Sequence, residues 1–281
     1  MKNRSGSNFA ERSITAAVEI VKSLVNNQDY ASHKGFLQPL DPRVKLLSTV
    51  FFISAVIFLG DLRLLVAFYV LGLFLAALSG IGLMYFLART WIFIPLFSAF
   101  AVVPAVFNIV TPGSELFALK IFGFPLAVTR EGLILAARFV LRVAASVSFV
   151  VLLALSTKHD ELLKALRSFG IPQIFVMTLG MAYRYIYMFA EIIGQTHTAI
   201  KSRVGSGIGH KKGRKLVAWS MANLWIRSYS MSSQVFSAMI SRGYAGEPRT
   251  MQEFKTRPAD WIFLAVAAMS LLLVLYKNYG N

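Results

Sequence analysis

Five stretches of the chain are apolar almost without interruption, and polar or turn-forming residues bound each one. The first runs from Val44 to Leu59 and follows LDPRVKLL, where Asp41 is placed to cap a helix and Pro42 to occupy its first position. GDLR, residues 60–63, reads as a tight turn, and a second span follows from Leu64 to Ile81. A third begins after Arg89 and Trp91 and reaches about Val110, with Pro95 and Pro104 expected to kink it. The stretch TPGSELFALKIFGFPLAVTREG is less apolar and rich in turn residues, so it reads as a connection on the far side of a membrane. Spans from Gly132 to Ser156 and from Trp261 to Tyr276 complete the set. Apolar runs of this kind predict transmembrane helices. Arg138 and Arg142 stand four residues apart within the fourth, on one face, which must look into the protein or toward a headgroup.

Two further segments are patterned differently. In residues 8–28, Phe9, Ile14, Val18, Val21 and Val25 alternate with Arg12, Glu19 and Lys22, which predicts a helix lying on the membrane surface or on a partner. Ile174 to Ile193 is apolar enough to span, but Arg184 and Glu191 fall on one of its faces. A buried cytoplasmic or membrane-boundary helix is favoured there over a span, so the count of crossings lies at five to six.

One polar phrase occurs twice. QTHTAIKSRVGSG begins at Gln195 and QVFSAMISRGYAG at Gln234, and corresponding residues are 39 apart. In each, small polar residues recur at intervals of three and four. Arg184, Glu191, Gln195, Thr198 and Ser202 form one stripe; Ser220, Asn223, Arg227, Ser230, Gln234, Ser237 and Ser241 form the other. Val217, Met221, Leu224, Met231 and Val235 make an apolar stripe beside the second. Helices of about 28 residues would each be about 42 Å long. Small polar residues at this spacing let helices approach closely, so Gln195, Thr198, Gln234 and Ser237 are expected at a helix–helix seam. The Ser-Arg endings admit two readings. One is a helix C-terminus, with a cation in the last turn and Gly205 or Gly243 after it. The other is a pair of equivalent arginines presented to a partner that has two equivalent sites, because a guanidinium fork suits a carboxylate in a protein pocket.

Composition and charge sharpen this picture. The 281 residues are 56% hydrophobic and 15% charged, the balance of an integral membrane protein. With no cysteine, disulfide and thiolate chemistry are excluded. The net charge of +16 is concentrated: residues 157–258 hold 15 Lys and Arg against 5 Asp and Glu. By the positive-inside rule that region is cytoplasmic, as is the N-terminus, and Asn281 lies outside. A membrane surface, not nucleic acid, accounts for the basic balance. The basic N-terminus lacks the apolar core of a signal peptide. Boundaries are expected at 1–36 (amphipathic segment), 37–156 (transmembrane helices), 157–258 (cytoplasmic helices) and 259–281 (last transmembrane helix).

Catalytic motifs are not found. GSGIGHKKGRK contains no phosphate-binding loop signature and reads as a flexible basic loop between the two long helices. The four histidines, 33, 159, 197 and 210, are scattered, so no metal site, cofactor or enzyme active site is expected. Residues 159–172, HDELLKALRSFGIP, predict a short amphipathic helix ended by Gly170 and Pro172, a shape similar to the loop by which ABC importer permeases dock on their ATPases.

LDPRVKLL, the helix–Gly-Ile-Pro element at 162–172, Tyr-Arg-Tyr at 183–185 and the two Ser-Arg endings together resemble the T component of energy-coupling-factor (ECF) transporters, in its cobalt or nickel CbiQ-type branch, over about residues 37–276. The resemblance implies an all-α integral membrane protein of about five to six transmembrane helices plus long cytoplasmic coupling helices in an L-shaped arrangement, in the plasma membrane of a prokaryote. It implies that Ser202-Arg203-Val204 and Ser241-Arg242-Gly243 are the two tripeptides whose arginines dock on ATPase subunits. Ser stands for the family's Ala in both, and Val204 for its Gly in the first, with Gly205 one place later. The implied partners are two ATP-binding subunits, a substrate-binding membrane S component and a small accessory membrane subunit. Cobalt or nickel is the implied cargo, with a vitamin importer as the alternative within the family. A self-contained secondary transporter would instead need a repeat of spans and an ionisable residue at mid-bilayer. The repeat found is cytoplasmic, and the early spans lack acidic residues.

Overall fold

A computed structural model describes residues 35–92, 94–106, 115–121, 124–204, 210–246 and 256–279. Ten helical segments and one hairpin follow in order: α1 (Pro42–Phe58), α2 (Leu62–Leu78), α3 (Leu83–Trp91), α4 (Ile94–Val102) with a 3₁₀ turn Val103–Val106, β1 (Glu115–Ile121), β2 (Phe124–Thr129), α5 (Arg130–Ser156), α6 (His159–Ser168), α7 (Gln173–Val204), α8 (His210–Ser241) and α9 (Pro258–Tyr279). The described residues divide into two compact units, one within 28–165 and 254–281 and the other within 166–253. The amphipathic segment expected at 8–28 lies outside the described residues.

In the first unit α1 packs on α9, and α5 packs on α1, α2, α3 and α4. Asp41 caps α1 as its sequence predicts: its Oδ1 accepts from the Arg43 N–H at 2.9 Å, and Pro42 fills the first turn. The core is aromatic at its centre. Phe52 of α1 stacks on Phe149 of α5 at 4.9 Å between centroids and meets Phe263 of α9 edge-on at 6.1 Å and Phe68 of α2 at 6.5 Å. Around it, Ala55, Ala76, Ala144, Ala145 and Ala267 are fully buried and let the helices close on one another. Phe149→Ala should cost about 3–5 kcal/mol, seen as an early unfolding transition of the purified protein.

The outward faces carry Phe74, Phe97, Phe100, Ile262, Leu272 and Leu273, each more than half exposed. A unit buried on alanine and exposed on large apolar residues is matched to a bilayer. Among the described residues, Arg130–Ser156 and Pro258–Asn278 are long and apolar enough to cross a membrane; α3 and α4, bent by 41°, form a third if taken as one broken span. The 17-residue α2 is a shorter apolar helix. The bend falls beside Pro95, where a kink is expected.

Hydrogen bonds fix the helix directions. Asp41 N–H donates to Asp260 Oδ1 at 3.0 Å where α1 and α9 start, and Lys277 in the last turn of α9 pairs with Asp61 in the turn just beyond α1, so α1 and α9 run parallel. Lys45 Nζ donates to the Ser156 carbonyl, and Arg142 Nη2 to the Leu59 carbonyl, the same number of residues apart on each helix. That register makes α5 antiparallel to α1. One pole of this unit therefore holds Asp41, Lys45, Ser156 and Asp260; the opposite pole holds Asp61, Arg142 and Lys277.

The stretch read as an irregular connection contains a β-hairpin, Glu115–Ile121 paired antiparallel with Phe124–Thr129 and bulged between Glu115 and Phe117. The helical class stands, with this hairpin as its one departure among the described residues. Two residues containing Gly123 separate the strands, which is a hairpin signal in its own right. Thr129 then caps α5, its Oγ1 accepting from Gly132 N–H at 3.2 Å.

In the second unit α7 and α8 are 32 residues each, against an expected 28. The basic loop expected over GSGIGHKKGRK is shorter than the sequence suggests: α8 starts at His210, so Lys211 to Lys215 belong to its first turns. Lys and Arg are good helix formers, and they extend the helix through Gly213.

Candidate functional site

The two Ser-Arg phrases end the two long helices. α8 closes at Ser241, and Gly243 takes φ +83°. Gly243 N–H donates to the Ile240 carbonyl at 2.9 Å and Tyr244 N–H to the Met239 carbonyl at 3.0 Å. These two bonds are a Schellman motif, in which the residue after the cap must be left-handed. Glycine is required there, and Arg242 is held at the turn. α7 runs to Val204, so Arg203 lies in its final turn; Gly205 is outside the described residues. Ser202, Arg203, Ser241, Arg242 and Gly243 are all exposed. Ser202 Oγ donates to the Ala199 carbonyl and Ser241 Oγ to the Ser237 carbonyl, so each serine is turned back on its own helix and leaves the arginine as the outward group.

Tyr244 ties the end of α8 to the start of α7, with its hydroxyl 3.3 Å from Met177 Sδ. Arg203 lies 26 residues beyond Met177 on α7. At 1.5 Å per residue the two arginines are then about 40 Å apart. Neither has an ion pair among the described residues.

The small polar stripe does not form the seam between α7 and α8. Gln195, Thr198, Gln234 and Ser237 are exposed. Gln195 Nε2 bonds to Glu191, Thr198 to the Gly194 carbonyl and Gln234 Nε2 to Ser230, all within their own helices. The helices instead face one another across a groove of about 400 Å³ whose walls include Met177, Met181, Tyr185, Met231, Val235 and Met239. The apolar stripe beside the polar one provides the α8 wall, because burying methionine and valine gains more than burying hydroxyls already bonded to their own backbone. Trp225, Tyr229, Phe236 and Ile240 remain more than half exposed on α8.

Sequence reading did not find the polar cluster at the first pole of the membrane unit. Lys45 is 3% exposed, with Nζ donating to the carbonyls of Gln38 and Ser156, both at 3.1 Å. The carboxylates of Glu161, Asp260 and Asp41 lie within electrostatic reach of it. Asp260 is 1% exposed and accepts from the backbone N–H groups of Asp41 and Arg257. Its only trace in the sequence is an acidic residue at the entry to an apolar span. At the opposite pole Lys277, bonded to Asp61, holds that carboxyl below its ordinary value, with Arg138 and Arg63 adding to the effect. Among the described residues no three His, Asp or Glu side chains converge on a point that could hold a metal.

An apolar helical unit joined to a basic unit of two long helices with exposed arginines at their ends defines a helical membrane component. The chain belongs to the CbiQ family of cobalt transport proteins, which matches it over residues 33–253. It is 31% identical over 270 residues to an uncharacterized protein of Methanocaldococcus jannaschii, covering 95% of this chain and 92% of the relative. It is 28% identical over 261 residues to the energy-coupling factor transporter transmembrane protein EcfT of Acidaminococcus fermentans, 86% of this chain and 92% of that one. Against the cobalt transport protein CbiQ of Rhodobacter capsulatus identity is 26% over 162 residues, 58% of this chain and 64% of the relative. The chain is thus a transport protein of the energy-coupling-factor class.

Proposed function

We propose that this chain is the transmembrane coupling subunit of an ATP-driven importer, linking two ATP-binding subunits to a substrate-binding S component in the membrane, with a small accessory membrane subunit as a further partner. Arg203 and Arg242, with their neighbours Ser202, Val204, Ser241 and Gly243, are the two anchor points. The observation that carries this reading is the spacing of two exposed arginines at the ends of two long helices, about 40 Å apart, which suits one site on each half of a dimeric motor. Hydrolysis then belongs to the partners, and this chain is non-catalytic. It transmits motion because the tips move with the ATPase halves and carry the long helices with them, which requires contacts that differ between the two states.

The cargo is a cobalt or nickel ion. Family membership supports this, as does likeness to the nickel permease LarQ of Lactiplantibacillus plantarum, 25% identical over 125 residues. Residues 157–258 are cytoplasmic in a prokaryotic plasma membrane, with five crossings and Asn281 outside. The pole geometry supports that topology: Ser156 and Asp260 share one pole with Asp41, and Lys277 shares the other with Asp61.

The test is transport in liposomes. The chain alone should accumulate no labelled cobalt or nickel. The same chain co-expressed with its ATPase and S partners should accumulate the ion when ATP is supplied on the side of residues 157–258. Uptake by the chain alone would overturn the reading in favour of a secondary transporter.

A further inference from the structure

Among the described residues, the pole that holds Asp61 carries more positive charge than its one ion pair accounts for. Arg63, Arg138, Arg142 and Lys277 gather about the turn between α1 and α2, and Asp61 is the carboxylate among them. Lys277 is bonded to that carboxylate. Arg142 spends one N–H on the Leu59 carbonyl at 2.7 Å. The Nε atoms of Arg138 and Arg142 are both buried with no hydrogen-bond partner. A guanidinium carries five N–H donors and no acceptor; with the Nε groups enclosed by protein, the terminal nitrogens, of which Arg142 spends one N–H on Leu59, are the donors left to meet an acceptor from outside.

Depth identifies the acceptor. Ser156, level with buried Lys45, marks one pole. Arg142 stands about 21 Å and Arg138 about 27 Å up α5 from it, near the full thickness of a hydrocarbon core of about 30 Å. On α9 the neighbour of Lys277 is Tyr276, 81% exposed, a side chain that favours the membrane–water boundary. The cluster therefore sits where phospholipid phosphates sit. Apolar residues flank it: Phe58, Leu62, Leu135 and Phe139 are each between about a third and a half exposed and offer a surface for acyl chains. Four cations on the side disfavoured by the positive-inside rule call for a counter-anion.

We propose that Arg138 and Arg142, with Arg63 and Lys277 at the rim, bind the phosphate of an anionic phospholipid in the leaflet opposite residues 157–258. The shared chemistry is phosphate; the acyl-facing flanks and the depth select a lipid over a soluble anion. The lipid would neutralise the cluster and tie the α1–α2 turn to α5 and α9.

The experiment uses the full chain in phosphatidylcholine nanodiscs, with spin-labelled phosphatidylglycerol or spin-labelled phosphatidylcholine as the probe. Wild type should hold the anionic label in preference to the zwitterionic one. Each basic side chain removed should lower that preference about fivefold. Arg138→Gln with Arg142→Gln should abolish it, while Arg138→Lys keeps most of it. Arg63→Gln with Lys277→Gln alters only exposed side chains and should lower it without disturbing the Arg142–Leu59 bond. Arg89→Gln, on α3, should leave it unchanged. Inorganic phosphate at matched concentration should not release the label; release would make the site one for soluble anions and overturn the lipid assignment. Unchanged preference in the glutamine variants would overturn it too. So would unchanged preference accompanied by loss of a co-purifying membrane partner, which would assign the cluster to an acidic segment of that partner.

Discussion

Replacing both Arg203 and Arg242 with alanine should abolish assembly with the ATP-binding subunits, and with it ATP-driven uptake. Each single change should weaken assembly by about 2–5 kcal/mol, at least about thirtyfold, the usual cost of truncating one partner of a desolvated charge pair. The effect is large because the arginines carry no other duty. Both are exposed, and α8 keeps its cap without the Arg242 side chain: its Schellman bonds run through backbone groups of Met239, Ile240, Gly243 and Tyr244. The double variant should therefore unfold at the wild-type temperature. Arg242→Lys should be intermediate, since an ammonium keeps the charge and loses the two-pronged geometry. Gly243→Ala should also weaken assembly by strain at φ +83°, which re-aims the tip. Co-purification of tagged ATPase subunits, quantified against uptake in the same vesicles, reads all five variants. Normal assembly and transport by the double variant would reduce the repeated phrase to a pair of helix ends.

What was legible in the chain followed from signals that act locally. The apolar runs give α1, α2, α5 and α9 to within a few residues, because a helix that must meet lipid writes its length directly in hydropathy. Asp41-Pro42, Gly170 and Gly243 give their helix ends because capping is decided within one turn. α3 was missed at its start: Leu83 lies well before the interface residues Arg89 and Trp91, and a short amphipathic helix has no run long enough to stand out. The hairpin was missed because its turn residues were weighed above its alternating strands. The seam between α7 and α8 was misassigned for a different reason. Two stripes, one polar and one apolar, share each helix period, and spacing alone does not say which faces inward; only burial against Met177, Met181 and Tyr185 decides it. The Lys45 cluster was beyond reach because most of its parts, Ser156, Glu161 and Asp260, lie more than a hundred residues away in the chain.

That cluster carries the second large effect. Lys45→Met should destabilise the membrane unit by about 3–5 kcal/mol, and Asp260→Ala by a similar amount. Lys45 is held by two backbone carbonyls from different parts of the fold, Gln38 before α1 and Ser156 at the end of α5. Removing the ammonium leaves both carbonyls unpaired and leaves the nearby carboxylates of Asp260 and Asp41 without their cation. Removing Asp260 strips the acceptor from two backbone donors, Asp41 N–H at 3.0 Å and Arg257 N–H at 2.6 Å, and so unties the starts of α1 and α9. Asp260→Asn should recover part of this: the amide oxygen still accepts from one of the two N–H groups, while its NH2 meets the other, itself a donor. The two charges share one network, so Lys45→Met with Asp260→Asn should cost less than the sum of the single changes, and the shortfall measures their coupling. Thermal unfolding in detergent, read by the exposure of a reporter placed in α5, tests all four. Should Lys45→Met unfold at the wild-type temperature, the ammonium is not what joins α1 to α5, and the aromatic stack around Phe52 and the Arg142–Leu59 bond must bear that junction.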